Sequence, residues 1–184
     1  MIIRQTTKDI LAASVIELAK HKSVEKITIK DISQNCGVTP TTFYNHFEDK
    51  YQLLAWIYNQ EVDQLVAKSI DSLNWREVLV ACCVPLQKNR TFYTNVLKNV
   101  VGQISFRHNT NDHAIAVWME NIRERNGLSE IPEDVQFCFR FYMRALSETI
   151  NDWFLAGEKM PVEELAALMD NAMPEPLQTF LRSR

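Results

Sequence analysis

The segment from Ile27 to Lys50 constrains the fold more than any other part of the chain, because it reads as two short helices joined by a tight turn. Thr28 is a good helix N-cap, and Asp31 lies three residues on, where a negative charge stabilises the start of a helix. Apolar residues recur at helical spacing up to Cys36, and Gly37 follows where a left-handed residue can end the helix. We therefore predict a first helix that begins at Thr28 and ends before Gly37.

The second helix of this segment is predicted to present a polar face to solvent. Thr39 is its N-cap, and Pro40 takes the first helical position, where a missing N–H group costs nothing. Phe43 and Phe47 are four residues apart and face inward, so the outward face carries hydroxyl, amide and imidazole groups from Thr41, Thr42, Tyr44, Asn45 and His46. Such a face suits the floor of a DNA groove, and the segment predicts a helix-turn-helix whose second helix reads DNA.

These residues resemble the TetR family of transcriptional regulators. The resemblance rests on Gly37-Val38-Thr39, on Thr42-Phe43-Tyr44-Asn45-His46-Phe47 and on Lys50-Tyr51-x-Leu53-Leu54. Ser33 and Cys36 stand where the family usually carries alanine, and both are small enough to keep the two helices close. The resemblance implies an N-terminal three-helix DNA-binding domain, joined by a linking helix to a C-terminal helical bundle that dimerises.

The resemblance also implies which side chains touch the bases. Thr41, Thr42 and Asn45 match positions that contact base edges, where an Asn amide suits adenine and a Thr methyl group suits thymine. Thr39 belongs to the same DNA-binding set. His46 is exposed on this face as well, although its counterpart in the family more often contacts the backbone or packs.

Phosphate contacts are implied by the same resemblance. Tyr44 and Lys50 match positions that contact the DNA backbone, and Thr28 and Lys30 at the start of the first helix are further candidates. The alternative is that these are ordinary solvated side chains on a helical surface.

The composition predicts an all-α fold. Only four glycines occur in 184 residues, and strand-like alternation is absent. Proline and glycine separate further predicted helices, including Thr7 to Lys22 and Pro132 to Ala156, and the polar segment His108 to Asp112 is predicted to precede a helix. We expect a helix-turn-helix DNA-binding domain over residues 1–50 and a helical effector-binding and dimerisation domain over residues 51–184.

Charge and hydropathy set limits on location and partners. No apolar run is long enough to cross a bilayer, and charges come too early for a signal peptide, which predicts a cytoplasmic protein that does not use a membrane. The net charge is −3, with seven Lys and Arg against six Asp and Glu in the first 50 residues. This asymmetry has the sign that DNA binding needs, but it is too small to decide the question.

Residues that carry catalytic chemistry are scattered along the chain. The four His and four Cys residues show no metal-ligand spacing, and neither a nucleophile elbow nor a glycine-rich phosphate loop is present. We therefore predict no enzyme activity, no cofactor and no metal. The cysteines are interpreted as small apolar side chains in a reducing compartment.

The helix predicted from Pro132 to Ala156 has an apolar surface too wide for one neighbour. Apolar side chains cover more than half of the helix circumference. A helix that is covered on one side only needs an apolar stripe about 100° wide. One side faces its own domain, and we expect the other to face the same helix pair of a second subunit. A central core helix in a monomer is the alternative.

The family resemblance implies an effector pocket among the body helices. The candidates are His113 and five aromatic residues, for which plain core packing is the alternative: Phe106, Trp118, Phe137, Phe141 and Trp153. The body also resembles regulators associated with dihydroxyacetone kinase operons, a branch that includes an activator whose effector is a partner protein.

These observations predict a homodimer that binds a double-stranded DNA operator under the control of a small-molecule effector or a partner protein. Repression is the family default. A transcriptional activator controlled by a partner protein, and a helical adaptor without DNA binding, remain alternatives.

Overall fold

The structure is a computed structural model that describes the backbone of residues 5–69, 73–99 and 103–182 and, apart from residues 99 and 103–109, their side chains. Within these ranges the chain forms α-helices, one short 3-10 turn and no strand, which confirms the all-α prediction. The helices are α1 (Thr7–Leu18), α2 (Ile29–Asn35), α3 (Pro40–Tyr44), α4 (Lys50–Ser69), α5 (Trp75–Lys88), α6 (Arg90–Asn99), α7 (Gln103–Arg125), α8 (Glu133–Leu155), α9 (Val162–Asn171) and α10 (Glu175–Leu181).

The first of two compact units takes in the chain up to Tyr58 together with Asn89–Asn109. Its centre is formed by α1, α2 and α3 with the start of α4, and Leu11, Ile32, Phe43 and Leu53 have no exposed surface. The 3-10 turn Val24–Lys26 lies between α1 and α2. Apolar side chains on one face of each helix are thus buried together, as the inward-facing Phe43 was predicted to be.

The second unit consists of Asn59–Lys88 and Thr110–Arg184. Here α5 packs against α9, and α8 packs against α10. Buried polar groups join these helices: the Trp75 indole donates to the Tyr142 hydroxyl over 3.2 Å, and that hydroxyl donates to the Met169 carbonyl over 2.7 Å. Burial raises the pKa of Tyr142 to about 12, so the hydroxyl stays protonated and keeps its proton for that donation.

Helix ends follow the local chemistry of the sequence. Gly37, Gly127 and Gly157 have φ values of 72°, 61° and 91°, as expected for residues that end helices in the left-handed conformation. Gly102 lies outside the described residues.

Two predicted boundaries are wrong. The helix predicted from Thr7 to Lys22 is α1, and it ends at Leu18. The polar segment His108 to Asp112 belongs to α7 instead of preceding it. Asn and Asp are only weakly unfavourable inside a helix, and the rest of this helix outweighs them: Thr110, Ala114 and Ile115 are buried.

Candidate DNA-reading surface

Capping bonds fix the start of α3. The Thr42 backbone N–H donates to Thr39 Oγ1 over 3.1 Å, and the hydroxyl oxygens of these two residues lie 3.0 Å apart. Pro40 occupies the first turn, as predicted. Thr39 is exposed, while Thr42 and His46 are half-buried. The capping geometry therefore already uses the Thr39 hydroxyl, and it orients the Thr42 hydroxyl toward the helix start.

The two faces of α3 differ as the sequence predicts. Phe43 and Phe47 are 0% and 4% exposed, and the centres of their rings lie 5.8 Å apart. Thr41 and Asn45 are exposed, and Tyr44 is 58% exposed with its ring edge-on to Phe43. A buried aromatic pair thus holds a short helix whose outer face carries two hydroxyl groups and an amide, which are groups that hydrogen-bond base edges and phosphates.

The start of α2 is fixed by a capping box. The Asp31 backbone N–H donates to Thr28 Oγ1 over 3.1 Å, and the Thr28 N–H donates to Asp31 Oδ2 over 2.8 Å. Lys22 Nζ lies 2.6 Å from the same carboxylate oxygen. Its hydrogen bond, with the bonds from Thr28, lowers the pKa of Asp31 to about 2. Thr28 and Lys30 are exposed at this end.

The Lys50 ammonium group makes contacts that the sequence did not predict. Its Nζ donates to the carbonyl oxygens of Val24, Glu25 and Ile27 over 2.9, 2.8 and 2.9 Å. An ammonium has three protons, so these carbonyls use its full donor capacity. Desolvation lowers the pKa of this half-buried group. Lys50 therefore bonds within the protein in this structure, and a phosphate contact by Lys50 stays a prediction.

Two further residues of this unit had no signal in the helix-turn-helix pattern. The Asn95 side chain of α6 bonds to the backbone between α1 and α2, although more than 70 residues separate them. The Lys8 ammonium lies 5.4 Å from the centre of the Phe47 ring and 5.9 Å from that of Trp56, a cation–π arrangement. Neither contact follows from periodicity, because each depends on long-range packing.

Three of the predicted pocket residues make polar or ring contacts inside the second unit. His113 Nε2 lies 2.8 Å from Asp63 Oδ1, and the Trp153 indole donates to the Met160 carbonyl over 2.8 Å. Trp118 stacks edge-on against Trp75 and lines a cavity of about 20 Å³. This cavity has room for one water molecule, whereas ligand pockets usually measure about 300–1,000 Å³. A ligand at these residues stays a prediction.

The other predicted pocket residues differ in position. Phe137 and Phe141 are 69% and 66% exposed on α8, so in this structure they face outward and do not line an interior pocket. Sequence periodicity identified them as apolar but not which side of α8 is covered. The side chain of Phe106 lies outside the described residues.

The cysteines have the environment expected for packing residues. Cys83 is buried and Cys36, Cys82 and Cys138 are half-buried, all as free thiols. Burial raises the pKa of Cys82 to about 12 and that of Cys83 to about 11, so both stay protonated at neutral pH and are poor nucleophiles. Among the described residues, no group of three or more His, Cys, Asp or Glu side chains has an arrangement that could hold a metal ion. No described helix is long and apolar enough to cross a membrane.

The fold and this surface together define a helical transcriptional regulator that binds DNA through a helix-turn-helix. The family model for bacterial regulatory proteins of the tetR family matches residues 10–57, and the model for a transcriptional regulator C-terminal region matches residues 73–175. The second match alone covers more than half of the chain. The chain belongs to the TetR family, as its sequence predicts.

The chain is also similar to individual relatives and, in fold, to solved structures. The HTH-type dhaKLM operon transcriptional activator DhaS of Lactococcus lactis subsp. lactis (strain IL1403) is 28% identical over 90 residues, which are 49% of this chain and 48% of that protein. The chain thus matches about half the length of this relative. A solved structure of the dihydroxyacetone kinase operon activator DhaS superimposes with a TM-score of 0.63 at 21% identity, covering 95% of this chain and 98% of that one. A TetR transcriptional regulator from Streptococcus agalactiae 2603V gives a TM-score of 0.63 at 24% identity, covering 92% and 94%.

Proposed function

We propose that the protein is a homodimeric transcriptional regulator whose α3 helices read two half-sites of an operator, under the control of an effector. The observation that carries this proposal is the outer face of α3, where Thr41, Tyr44 and Asn45 are exposed over a buried Phe43 and Phe47. The face is polar and free of carboxylates, and it is anchored from below, so its side chains can enter a groove without reordering. Thr28, Lys30, Thr39, Thr42 and His46 complete the proposed contact surface.

The dimer is proposed from α8 and α9. Phe137 and Phe141 on α8 and Leu168 on α9, which is 53% exposed, are large apolar side chains outside the core. Phe137 and Phe141 are one turn apart, so both lie on one side of α8. Large apolar side chains that stay exposed in a single chain favour a protein partner. A second copy is the partner that a two-fold operator requires. We assign Phe137 and Phe141 to this interface rather than to an effector pocket.

Effector control is proposed for the helical body, which comprises residues 51–184. Residues 1–50, the helix-turn-helix DNA-binding domain, are called the reading head. His113, Trp118 and Trp153 remain the candidate contacts for a small molecule. Repression is the default sign, and the protein is proposed to act in the cytoplasm, without catalysis or a cofactor. The similarity to an operon activator favours the second candidate, activation controlled by a partner protein.

The experiment is a binding assay on DNA from the promoter of the protein's own gene, compared with a random duplex of equal length at several salt concentrations. We expect promoter DNA to bind at least 10³-fold more tightly at physiological salt, with affinity that falls as salt rises. Equal binding to both duplexes, with and without candidate small molecules and partner proteins, would favour the adaptor alternative and reject the proposal.

A further inference from the structure

The backbone between α1 and α2 is held by side chains from two other helices. This segment, Ala19 to Ile27, contains the 3-10 turn and leads directly to Thr28, the N-cap of α2. Backbone groups outside regular helices need partners when they are shielded from water. Here much of that need is met by one amide and one ammonium group, on α6 and α4.

Asn95 supplies the first set of bonds. Its Nδ2 donates to the carbonyl oxygens of Ala19 and Lys22 over 2.9 and 2.8 Å. Its Oδ1 accepts the Val24 backbone N–H over 3.0 Å. One side chain thereby joins the end of α1 to the 3-10 turn, through both a donor and an acceptor, which fixes the orientation of the amide.

Lys50 supplies the second set at the other end of the same segment. Its three bonds go to Val24, Glu25 and Ile27, at 2.8–2.9 Å. To reach a phosphate, the ammonium group would have to release at least one of these carbonyls, one of which belongs to the fully buried Val24. The Val24 carbonyl would keep the Ile27 N–H as a donor at 3.3 Å but would lose its bond from a charged donor, so an internal role competes directly with a phosphate contact.

We propose that Lys50 and Asn95 are positioning residues for the reading helix: they clamp Ala19 to Ile27 and so set where α2 begins, and Lys50 does not bind a phosphate. The consequence at DNA rests on the proposed function. The clamp itself does not, and it can be measured on the free protein.

The clamp reaches α3 through short contacts inside the same unit. The Lys22 carbonyl bonds to Asn95, while the Lys22 side chain pairs with Asp31 in the first turn of α2. At the other end of α2, the Val38 N–H donates to the Ser33 carbonyl over 2.9 Å, across the turn made by Gly37. A shift at the start of α2 is therefore passed to α3 through a single short helix.

The test uses the full-length variants Lys50→Met and Asn95→Leu, which keep side-chain bulk and remove the groups that hydrogen-bond to the segment. Lys30→Met is the matched control, because Lys30 is an exposed lysine of the same reading head. We expect each clamp variant to weaken promoter binding roughly tenfold, the effect of one misplaced base contact, and to leave the salt dependence unchanged. Lys30→Met should lower the slope of log K against log[salt] by about one per protomer.

The outcomes separate three roles for Lys50. A slope that falls by about one in Lys50→Met would show a phosphate contact and overturn the proposal. Unchanged promoter affinity, measured where circular dichroism shows both clamp variants fully folded, would show a role in stability alone and would also overturn it.

Amide hydrogen exchange on the free protein tests the clamp without DNA. We expect the Val24 amide in Asn95→Leu, and the Ile27 amide in Lys50→Met, to exchange at least tenfold faster than in the unmodified chain, since opening of this segment limits their exchange. Unchanged rates would overturn the clamp. Faster exchange in a protein that shows no promoter preference would retain the clamp and reject the proposed function instead.

Discussion

Two serines in the packing of α1 against α2 should respond to the same substitution with opposite signs. Ser33 is fully buried, and its Oγ has no hydrogen-bond partner among the described residues. Ser14 is also buried, but its Oγ donates to the Ile32 carbonyl over 2.8 Å and accepts from Asn35 Nδ2 over 3.2 Å. Replacing either serine by alanine removes one oxygen atom, and of the two oxygens only Ser14 Oγ has hydrogen-bond partners in the described part of the chain.

The expected free energies follow from these contacts. A buried polar group without a partner costs about 1–3 kcal/mol, so Ser33→Ala should raise the free energy of unfolding by about 1 kcal/mol. Ser14→Ala loses two hydrogen bonds, but the Asn35 amide keeps Glu17 Oε2 as an acceptor at 3.2 Å, so we expect a net loss of about 1 kcal/mol. The Ile32 carbonyl keeps the Cys36 N–H as a donor, at 3.4 Å, which limits that loss. Because both serines lie in helices, the gain in helix propensity is common to the two variants and cancels in their comparison.

The assay is thermal unfolding at one fixed protein concentration, since the unfolding midpoint of an oligomer depends on concentration. For a chain of this length, 1 kcal/mol corresponds to about 2–4 °C, so the midpoints of the two variants should differ by about 4–8 °C, with Ser33→Ala higher. If Ser33→Ala is no more stable than the unmodified protein, or if both variants shift together, the reasoning from unpaired buried oxygen atoms is refuted.

Three further predictions concern acid stability, assembly and base reading. Because the pKa of Asp31 is lowered to about 2 in the folded protein, its contribution to stability is present above its ordinary value of 3.8 and is lost as pH falls toward 2. Asp31→Asn should therefore flatten the free energy of unfolding against pH between 4 and 2, and equal slopes would contradict the ion pair. The double variant Phe137→Ser, Phe141→Ser should sediment as a monomer with unchanged helix content, whereas Val84→Ser, at a site that is 52% exposed on α5, should remain dimeric. Asn45→Ala should cost about 1–3 kcal/mol at one base position of the operator and little on random DNA, and an equal loss on both duplexes would show that Asn45 reads no base.

The reading head could be predicted in detail because its signals are local. Thr28 and Thr39 cap helices through bonds to residues three positions away, and Gly37 needs only its own left-handed conformation. Phe43 and Phe47 are placed by helical spacing alone. Each of these features is set within a stretch of at most five consecutive residues, so the sequence contains the whole signal.

Other features depend on contacts that a sequence pattern does not record. The bonds from Lys50 to the backbone between α1 and α2 span 23 to 26 residues, and those from Asn95 span 71 to 76. A lysine at the start of a helix has the same local pattern whether it faces a phosphate or a carbonyl. For the same reason, the apolar pattern of α8 does not distinguish Phe139, which is buried in the chain, from Phe137 and Phe141, which are not.

Hydroxyl-radical footprinting of the protein on its own promoter tests the central claim most directly, because it reports both DNA reading and two-fold assembly. We expect two protected half-sites on one side of the duplex, with centres about 10 base pairs or a multiple of that apart, saturated by two protomers or a multiple of two. Asn45→Ala should require a higher protein concentration than the unmodified chain to give the same protection, because it loses one base contact. A single protected half-site bound by one protomer, or no protection with any candidate effector or partner protein, would contradict the account.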